Sequence, residues 1–232
     1  MFSKSGPTLL RGIGLRMAEN GGSYIYQTLA ITYVSKLGVQ TSIGPLAVAI
    51  GALFGFFTIP FAGSLSDKYG RMKVYRAGAL IQLVLALVAW PLLSTGNPVV
   101  TVAVIAISYG IGVNVMLGAQ CAALPELCGA RHRYIGVAVI REFSAIIAGG
   151  IAPFVGALLL GWFSNSWIPL AIYVVVLTSI TLFTTFVTPE TRARDLTLVT
   201  DAIADTPKQI ADRPAPLAGS YRVAEKLPPV LV

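Results

Sequence analysis

Four charged side chains lie inside long apolar stretches of the sequence, and they are the first candidates for chemistry. Arg16 and Glu19 belong to one stretch, and Arg141 and Glu142 belong to another. A charge at the centre of a membrane helix costs about 2.5–3.5 kcal/mol, so these four should face protein or water, and opposite charges should pair. In such a setting an arginine attracts a carboxylate, and a glutamate can carry a proton.

Further polar side chains follow Arg16 at the spacing of one helix face. The stripe and the residues beside it are Arg16, Glu19, Asn20, Ser23, Tyr26 and Gln27. This pattern predicts the wall of a polar cavity. Two alternatives remain open. Arg16 can extend its side chain to the membrane interface, and Arg141 and Glu142, which point to different faces, can serve only as structural ion pairs between helices.

The elements that position these residues are predicted to be membrane helices. The chain has 232 residues, of which 55% are hydrophobic and 12% are charged, whereas a soluble domain has about 25% charged residues. About 20 apolar residues are needed to cross a bilayer as a helix. Six such runs, called spans one to six, are predicted at 12–34, 43–65, 75–93, 99–121, 135–163 and 167–187.

Basic residues are sorted by the side of the membrane on which they lie. Ten of them lie just before span one, just after span six, or at the connections between spans two and three and spans four and five, while the opposite connections hold Lys36. The ten are Lys4, Arg11, Lys68, Arg71, Lys73, Arg76, Arg131, Arg133, Arg192 and Arg194. The positive-inside rule then places both termini in the cytoplasm. Nucleic-acid binding is disfavoured, because it needs one basic patch.

The composition changes abruptly after span six. Residues 188–232 are polar, contain prolines and are poor in aromatic side chains. We expect a short amphipathic start near 196–203 followed by disorder. The predicted division is a cytoplasmic segment at 1–11, a six-helix transmembrane domain at 12–187, and a cytoplasmic, largely disordered tail at 188–232.

The connection between spans two and three has a distinctive pattern, Gly63-Ser-Leu-Ser-Asp67-Lys-Tyr-Gly70-Arg71-Met-Lys73. Gly63 is expected to let spans two and three approach closely, because only small residues permit close backbone contact. Asp67 is expected either to cap the next helix or to bind its basic neighbours. The pattern therefore predicts a charged hairpin at the cytoplasmic surface.

This loop resembles the cytoplasmic loop motif of the major facilitator superfamily. Other stretches sharpen the likeness: Arg16-Met-Ala-Glu-Asn20, then Pro125-Glu126-Leu127, then Ala148-Gly149-Gly150, and finally Pro189-Glu190-Thr191-Arg192. Together they resemble the metabolite:H+ symporter family, which includes carriers of shikimate, α-ketoglutarate, citrate and proline/betaine. The resemblance covers about residues 10–196 and is to the C-terminal six-helix half, in a superfamily whose carriers have two such halves around a central cavity.

The resemblance implies an all-α membrane protein built from two inverted three-helix repeats. It implies proton-coupled symport of a small organic acid or zwitterionic metabolite by alternating access. The residues expected along the substrate and proton pathway are Arg16, Glu19, Asn20, Tyr24, Gln27, Asn114, Arg141 and Glu142. The residues expected in the cytoplasmic gating motif are Gly63, Asp67, Gly70 and Arg71. The expected partners are a small solute, a proton, the lipid bilayer and a separate N-terminal half or a second copy.

A different reading is that the chain is a truncated gene product, or a half-carrier that transports nothing without a separate N-terminal half. Enzymes are disfavoured, because the sequence shows no nucleophile–base pair and no phosphate-binding G-x-x-x-x-G-K-[ST] pattern. Cys121, Cys128 and His132 make only a weak metal pattern, and a disulfide is not expected in the cytoplasm. No cofactor and no metal are therefore predicted.

The sorting of charge yields a prediction for the topology. A reporter enzyme that works only in the periplasm, fused after Val232, should give no activity, because both termini are expected in the cytoplasm. A cytoplasm-dependent reporter fused at the same point is the matched control and should be active. Strong activity of the periplasmic reporter would contradict the topology.

Overall fold

Six helical stretches make up the computed structural model, which describes residues 2–163 and 166–205. Span one comprises α1 (Phe2–Tyr24), a π-helical segment (Ile25–Leu29) and α2 (Ala30–Lys36); span two is α3 (Ile43–Tyr69), and span three is α4 (Arg71–Leu93). Span four comprises α5 (Pro98–Ile107), a π-helical segment (Ser108–Val113) and α6 (Asn114–Leu127). Span five comprises a 3-10 turn (Ala130–His132), α7 (Arg133–Ser144), a π-helical segment (Ala145–Gly150) and α8 (Ala152–Trp162); span six is α9 (Ile168–Val187).

Spans two to six are each long and apolar enough to cross a membrane, by their length and composition. Span one is long enough as well, but its charged and polar side chains keep it below the same hydropathy. The described residues contain helices and no strand, so the predicted all-α class is confirmed.

Other helices surround span one, so its polar side chains are kept away from lipid. α1 packs against α6, α7 and α9, and its π-helical segment packs against α8. Leu15, Ile25 and Tyr26 are fully buried there. A helix that contacts protein on most of its faces needs little hydropathy of its own, since its neighbours present the apolar surface to lipid.

A π-helical segment interrupts spans one and four, which are the first helices of the two predicted three-helix repeats. The two segments pack against each other. A third π-helical segment follows Ser144 in span five, in the glycine-rich stretch that ends at Gly150. Such segments frequently mark functional sites, because they release backbone groups from the regular ladder.

The spans differ in how much of their surface the other spans cover. In the most apolar 18-residue stretch of each, 22% of the residues are buried in α3 and 33% in span five, against 56% in span four. Spans three and six are intermediate. Spans two and five therefore present the largest uncovered surfaces in the described part of the chain.

Gly63 lies at a close approach of α3 and α6. A Cβ built on Gly63 would lie 3.6 Å from the carbonyl oxygen of Gly118, while a Cβ on Gly118 would lie 2.5 Å from the carbonyl oxygen of Ile59. The expectation that Gly63 lets spans two and three approach is wrong, because the neighbouring helix is span four. On a helix the face that a glycine presents depends on packing that the loop motif does not encode.

Residues 188–205 fold back against the end of the bundle that carries the basic connections, here called the basic end. They form turns and one 3-10 turn (Ala202–Ala204), and Thr191, Arg194 and Asp201 are buried there. The disorder predicted for the tail concerns mainly residues 206–232, which lie outside the described residues, and it stays a prediction.

Candidate functional site

Arg16, Glu19 and Asn20 are buried on one side of α1. Nη2 of Arg16 lies 3.3 Å from Oε2 of Glu19, which is three residues further along the helix. Side chains at this spacing are neighbours on a helix surface. The expected pairing of opposite charges is therefore present within one turn of span one. Burial of Arg16 also argues against the alternative in which its side chain extends to the membrane interface.

Ser144, the last residue of α7, joins span one to span five. Its hydroxyl oxygen accepts hydrogen bonds from Nε of Arg16 at 2.8 Å and from Nδ2 of Asn20 at 3.2 Å. The same hydroxyl donates to the carbonyl oxygen of Arg141 at 2.9 Å. Ser144 is fully buried, so it holds the guanidinium at the point where span five becomes π-helical.

Tyr75 and Gln120 close the cluster from α4 and α6. The hydroxyl of Tyr75 lies 2.7 Å from the carbonyl oxygen of Leu15 and 3.0 Å from Oε1 of Gln120. The Gln120 side chain also faces the Glu19 carboxyl, and Arg141 exerts a weaker electrostatic attraction on the same carboxylate. The cluster formed by Arg16, Glu19, Asn20, Tyr75, Gln120 and Ser144 is called the Arg16 cluster below.

A second polar group lies where span three meets spans one and four. The Gln82 side chain is fully buried between Gly22 and Gly112, and the Tyr26 hydroxyl faces it together with Ser108. Tyr26 also stacks on Trp90, with ring centroids 6.4 Å apart. Span three, which appears apolar on nearly every face in the sequence, thus turns its one amide side chain inward.

At the basic end, Gly70 separates α3 from α4 with a φ of 114°. A Cβ at Gly70 would lie 2.6 Å from Oε2 of Glu190, so a larger residue would be strained and would collide with that carboxylate. Glu190 accepts hydrogen bonds from the backbone amides of Arg71 at 2.7 Å and Met72 at 3.2 Å. The cap of α4 is therefore Glu190, from the far end of the chain.

Arg71 binds two carboxylates at this hairpin. It forms an ion pair with Asp67 one turn earlier, and its Nη2 lies 3.0 Å from Oε1 of Glu126 at the end of α6. Its Nη1 donates to the hydroxyl of Ser66 at 2.8 Å. Of the two roles expected for Asp67, the structure shows binding to a basic neighbour.

Asp201 ties the segment after span six to the start of α1 and to the turn between spans four and five. Its carboxylate accepts from the Thr8 hydroxyl and from the Gly129 amide, both at 2.8 Å, and lies 2.8 Å from Nε2 of His132. Burial alone would raise the pKa of the Asp201 carboxyl, but these hydrogen bonds outweigh it, so its pKa lies below the ordinary 3.8. Nearby, Arg194 donates from Nε to Asp205 at 2.6 Å.

A family model described as the Major Facilitator Superfamily matches residues 15–229. The chain belongs to this superfamily. The proline/betaine transporter of Escherichia coli (strain K12) is 30% identical over 202 residues, which cover 85% of this chain and 39% of that protein. The shikimate transporter of the same organism is 30% identical over 168 residues, which cover 71% of this chain and 38% of that protein.

A third relative, the inner membrane metabolite transport protein YhjE of Escherichia coli (strain K12), is 29% identical over 149 residues. The chain spans less than half the length of these relatives. The matches confirm the resemblance to the major facilitator superfamily. They also confirm that the chain belongs to a transporter family and not to an enzyme family.

In this superfamily member, the other five predicted pathway residues lie outside the Arg16 cluster. Arg141, Glu142 and Gln27 are exposed. Tyr24 is also largely exposed and packs across Gly149 of span five. Asn114 is buried in a different place, against Gly55 of α3. The structure therefore brings Arg16, Glu19 and Asn20 together, and the pathway roles of all eight residues stay predictions.

Ser144, Tyr75 and Glu190 are polar contacts that sequence reasoning missed. Each acts on a residue more than 50 positions away. A serine and a tyrosine inside apolar runs are weak signals, because both residues are also tolerated in membrane helices with no partner. Glu190 was visible only as part of a family motif, with no indication that it caps α4.

The role of Ser144 can be tested by its replacement with alanine. The change should lower the free energy of unfolding by about 1–3 kcal/mol, because it leaves the buried Arg16 guanidinium with fewer acceptors. Thermal unfolding in detergent measures this as a lower midpoint. Ser179→Ala is the matched control, since Ser179 is exposed and donates only to a carbonyl of its own helix. Equal midpoints for both variants would contradict the role of Ser144.

Asp201→Asn should destabilise the protein near neutral pH, and the difference from wild type should shrink in acid. A carboxyl whose pKa is lowered by folding contributes stability above its ordinary pKa, and this contribution is lost as the pH falls through the lowered value. Unfolding midpoints of both proteins from pH 7 to below 3.8 check this. Asp195→Asn is the control. The Asp195 carboxylate is exposed and accepts from Thr197 two residues away, and an asparagine oxygen can accept the same bonds, so this change should have a much smaller effect. A deficit that stays constant into acid would contradict the prediction.

Proposed function

We propose that the chain forms one half of a secondary transporter that carries a small organic acid or zwitterionic metabolite together with a proton. The observation that carries this proposal is the buried Arg16–Glu19 pair in the centre of span one. An arginine there can recognise a carboxylate of the solute, and a glutamate beside it can exchange a proton. The relatives named for proline/betaine and shikimate transport support this class of solute.

The position of Arg141 supports a shared path for the proton and the solute. The carbonyl oxygen of Arg141 accepts from the Ser144 hydroxyl that also holds Arg16, while the Arg141 side chain is exposed on span five. The Arg16 cluster therefore lies between the interior of the bundle and the exposed face that bears Arg141 and Glu142. In the proposed carrier this face lines the central cavity opposite a second six-helix half.

Alternating access is the proposed mechanism, in the inner membrane and with both termini in the cytoplasm. The Arg71 contacts to Asp67 and Glu126 lie at the basic end, about one helix turn from Tyr75 of the Arg16 cluster, so they are suited to bias which side of the carrier opens. Gly70 permits the tight turn that this hairpin needs, and Gly63 lies beside it where α3 approaches α6.

The exposed charges on span five favour a second candidate function, in which the chain alone is inactive. Leaving Arg141 and Glu142 against lipid would cost several kcal/mol, so the chain alone should not form a working carrier. In this reading it acts as a half-carrier, whose activity depends on a separate N-terminal half or on self-association.

The test is uptake of labelled organic acids and betaine by proteoliposomes under a proton gradient. The chain alone should give no saturable uptake, while the chain reconstituted with an N-terminal half from a family member should give uptake if the halves match. In the active preparation, Glu19→Gln should flatten the pH dependence of uptake, because it removes a titratable group, whereas Arg16→Ala should mainly raise the KM for an anionic solute.

Asp195→Asn serves as the control in the same preparation, since it removes an exposed carboxylate beyond the last span. An unchanged pH profile in Glu19→Gln would place the proton route elsewhere. Robust, gradient-dependent uptake by the chain alone would contradict the need for a second half.

A further inference from the structure

Arg76 of α4 contacts Thr185 and Phe186 in the last turn of α9, near the basic end, and the seam between these two helices is called the groove below. Its Nε donates to the hydroxyl of Thr185 at 3.3 Å, and its Nη2 donates to the carbonyl oxygen of Thr185 at 3.0 Å. The guanidinium carbon lies 3.8 Å from the centroid of the Phe186 ring. The charge therefore caps the last turn of α9, where carbonyl groups lack helical partners and a positive charge is favourable.

This contact leaves much of the guanidinium available. An arginine side chain has five N–H donors in a planar fork, and Thr185 accepts from two of the nitrogens. Arg76 is half-buried, while Phe186 is 63% exposed. The groove thus presents a flat cation, held against an aromatic ring, on the outer surface of the bundle.

The surroundings of Arg76 are basic toward the connection and apolar toward the membrane. Lys73 is exposed and lies three residues before Arg76 on α4, on a neighbouring part of the same face. In the other direction, Leu80 and Phe183 are exposed along α4 and α9. A positive rim above an apolar groove matches a molecule with an anionic head and a hydrocarbon tail.

Two acidic side chains beside the start of α4 already have partners. Asp67 forms an ion pair with Arg71, and Glu190 accepts from the backbone amides at the start of α4. Arg192, next to Glu190, donates to the carbonyl oxygen of Lys68 and adds a further positive charge. The charge at this rim is therefore complementary to an anionic group.

We propose that the groove between α4 and α9 binds an anionic phospholipid. Its phosphate lies against Arg76 and Lys73, and an acyl chain runs past Phe186, Phe183 and Leu80. Charge-assisted hydrogen bonds from a guanidinium to phosphate are strong and directional, and basic pockets between membrane helices are suited to lipid head groups. The bound lipid joins spans three and six, which are distant in sequence. This site is separate from the Arg16 cluster and does not depend on the proposed transport function.

Native mass spectrometry of the full chain, with phosphatidylglycerol or phosphatidylcholine added in detergent, tests the proposal. Wild-type protein should retain phosphatidylglycerol in preference to phosphatidylcholine. Arg76→Gln should reduce phosphatidylglycerol retention by about fivefold, the effect expected for one basic side chain near an anionic lipid, and should leave phosphatidylcholine retention unchanged. Lys73→Gln, an exposed change that keeps the contacts of Arg76, should produce a similar loss in a folded protein.

Arg131→Gln is the matched control, because Arg131 is an exposed arginine on the turn between spans four and five. It should retain phosphatidylglycerol as wild type does. An equal loss in Arg131→Gln would mean diffuse attraction to the basic end, and unchanged retention in both Arg76→Gln and Lys73→Gln would mean no site in the groove; either result would overturn the proposal. Displacement of the lipid by millimolar inorganic phosphate would overturn it as well, since it would indicate a site for free phosphate.

Discussion

The constraint on which the rest of the structure depends is the burial of charge in span one. Arg16 and Glu19 lie in the middle of a helix within a bundle of apolar helices, and each charge alone would cost about 2.5–3.5 kcal/mol in lipid. The fold meets this cost by placing α1 in contact with α6, α7 and α9. Tyr75, Gln120 and Ser144 then supply the polar contacts that lipid cannot. Because spans two to six shield span one, they form the surface that faces lipid, and their apolar composition suits that position.

The basic end solves a related problem by another means. Water is available there, so its charges do not need a protein shell, yet Arg71 and Glu190 are drawn into specific contacts with distant parts of the chain. These contacts connect the hairpin between spans two and three with the end of span four and the segment after span six. The basic end is therefore held together by contacts between segments that are distant in sequence.

Much of the helical framework could be predicted from the sequence, because a membrane helix is a local property of about 20 apolar residues. The predicted run at 167–187 agrees closely with α9 (Ile168–Val187), and the run at 75–93 ends with α4 at Leu93. The helix ends at the connection between spans two and three were less predictable. α3 continues to Tyr69 and α4 begins at Arg71, because Gly70 alone breaks the helix and the polar residues around it are helical.

The candidate site was predictable only as far as its members share one helix. Arg16, Glu19 and Asn20 could be placed together from their spacing in span one. Ser144 could not, because its position relative to Arg16 depends on how α1 and α7 pack, and that packing leaves no local signal. The same limit applies to Gly63, whose neighbour proved to be Gly118 of span four.

The uneven burial of the spans gives the exposed charges of span five a physical meaning. Span four is enclosed on most sides, whereas α3 and span five leave wide surfaces uncovered. Arg141 and Glu142 lie on one of these surfaces, and lipid is a poor environment for both. In the proposed carrier, the matching face of a second half and the water between the halves would occupy this side. The Arg16 cluster would then lie directly behind the cavity wall, with Ser144 and the adjoining π-helical segment as the structural link between them.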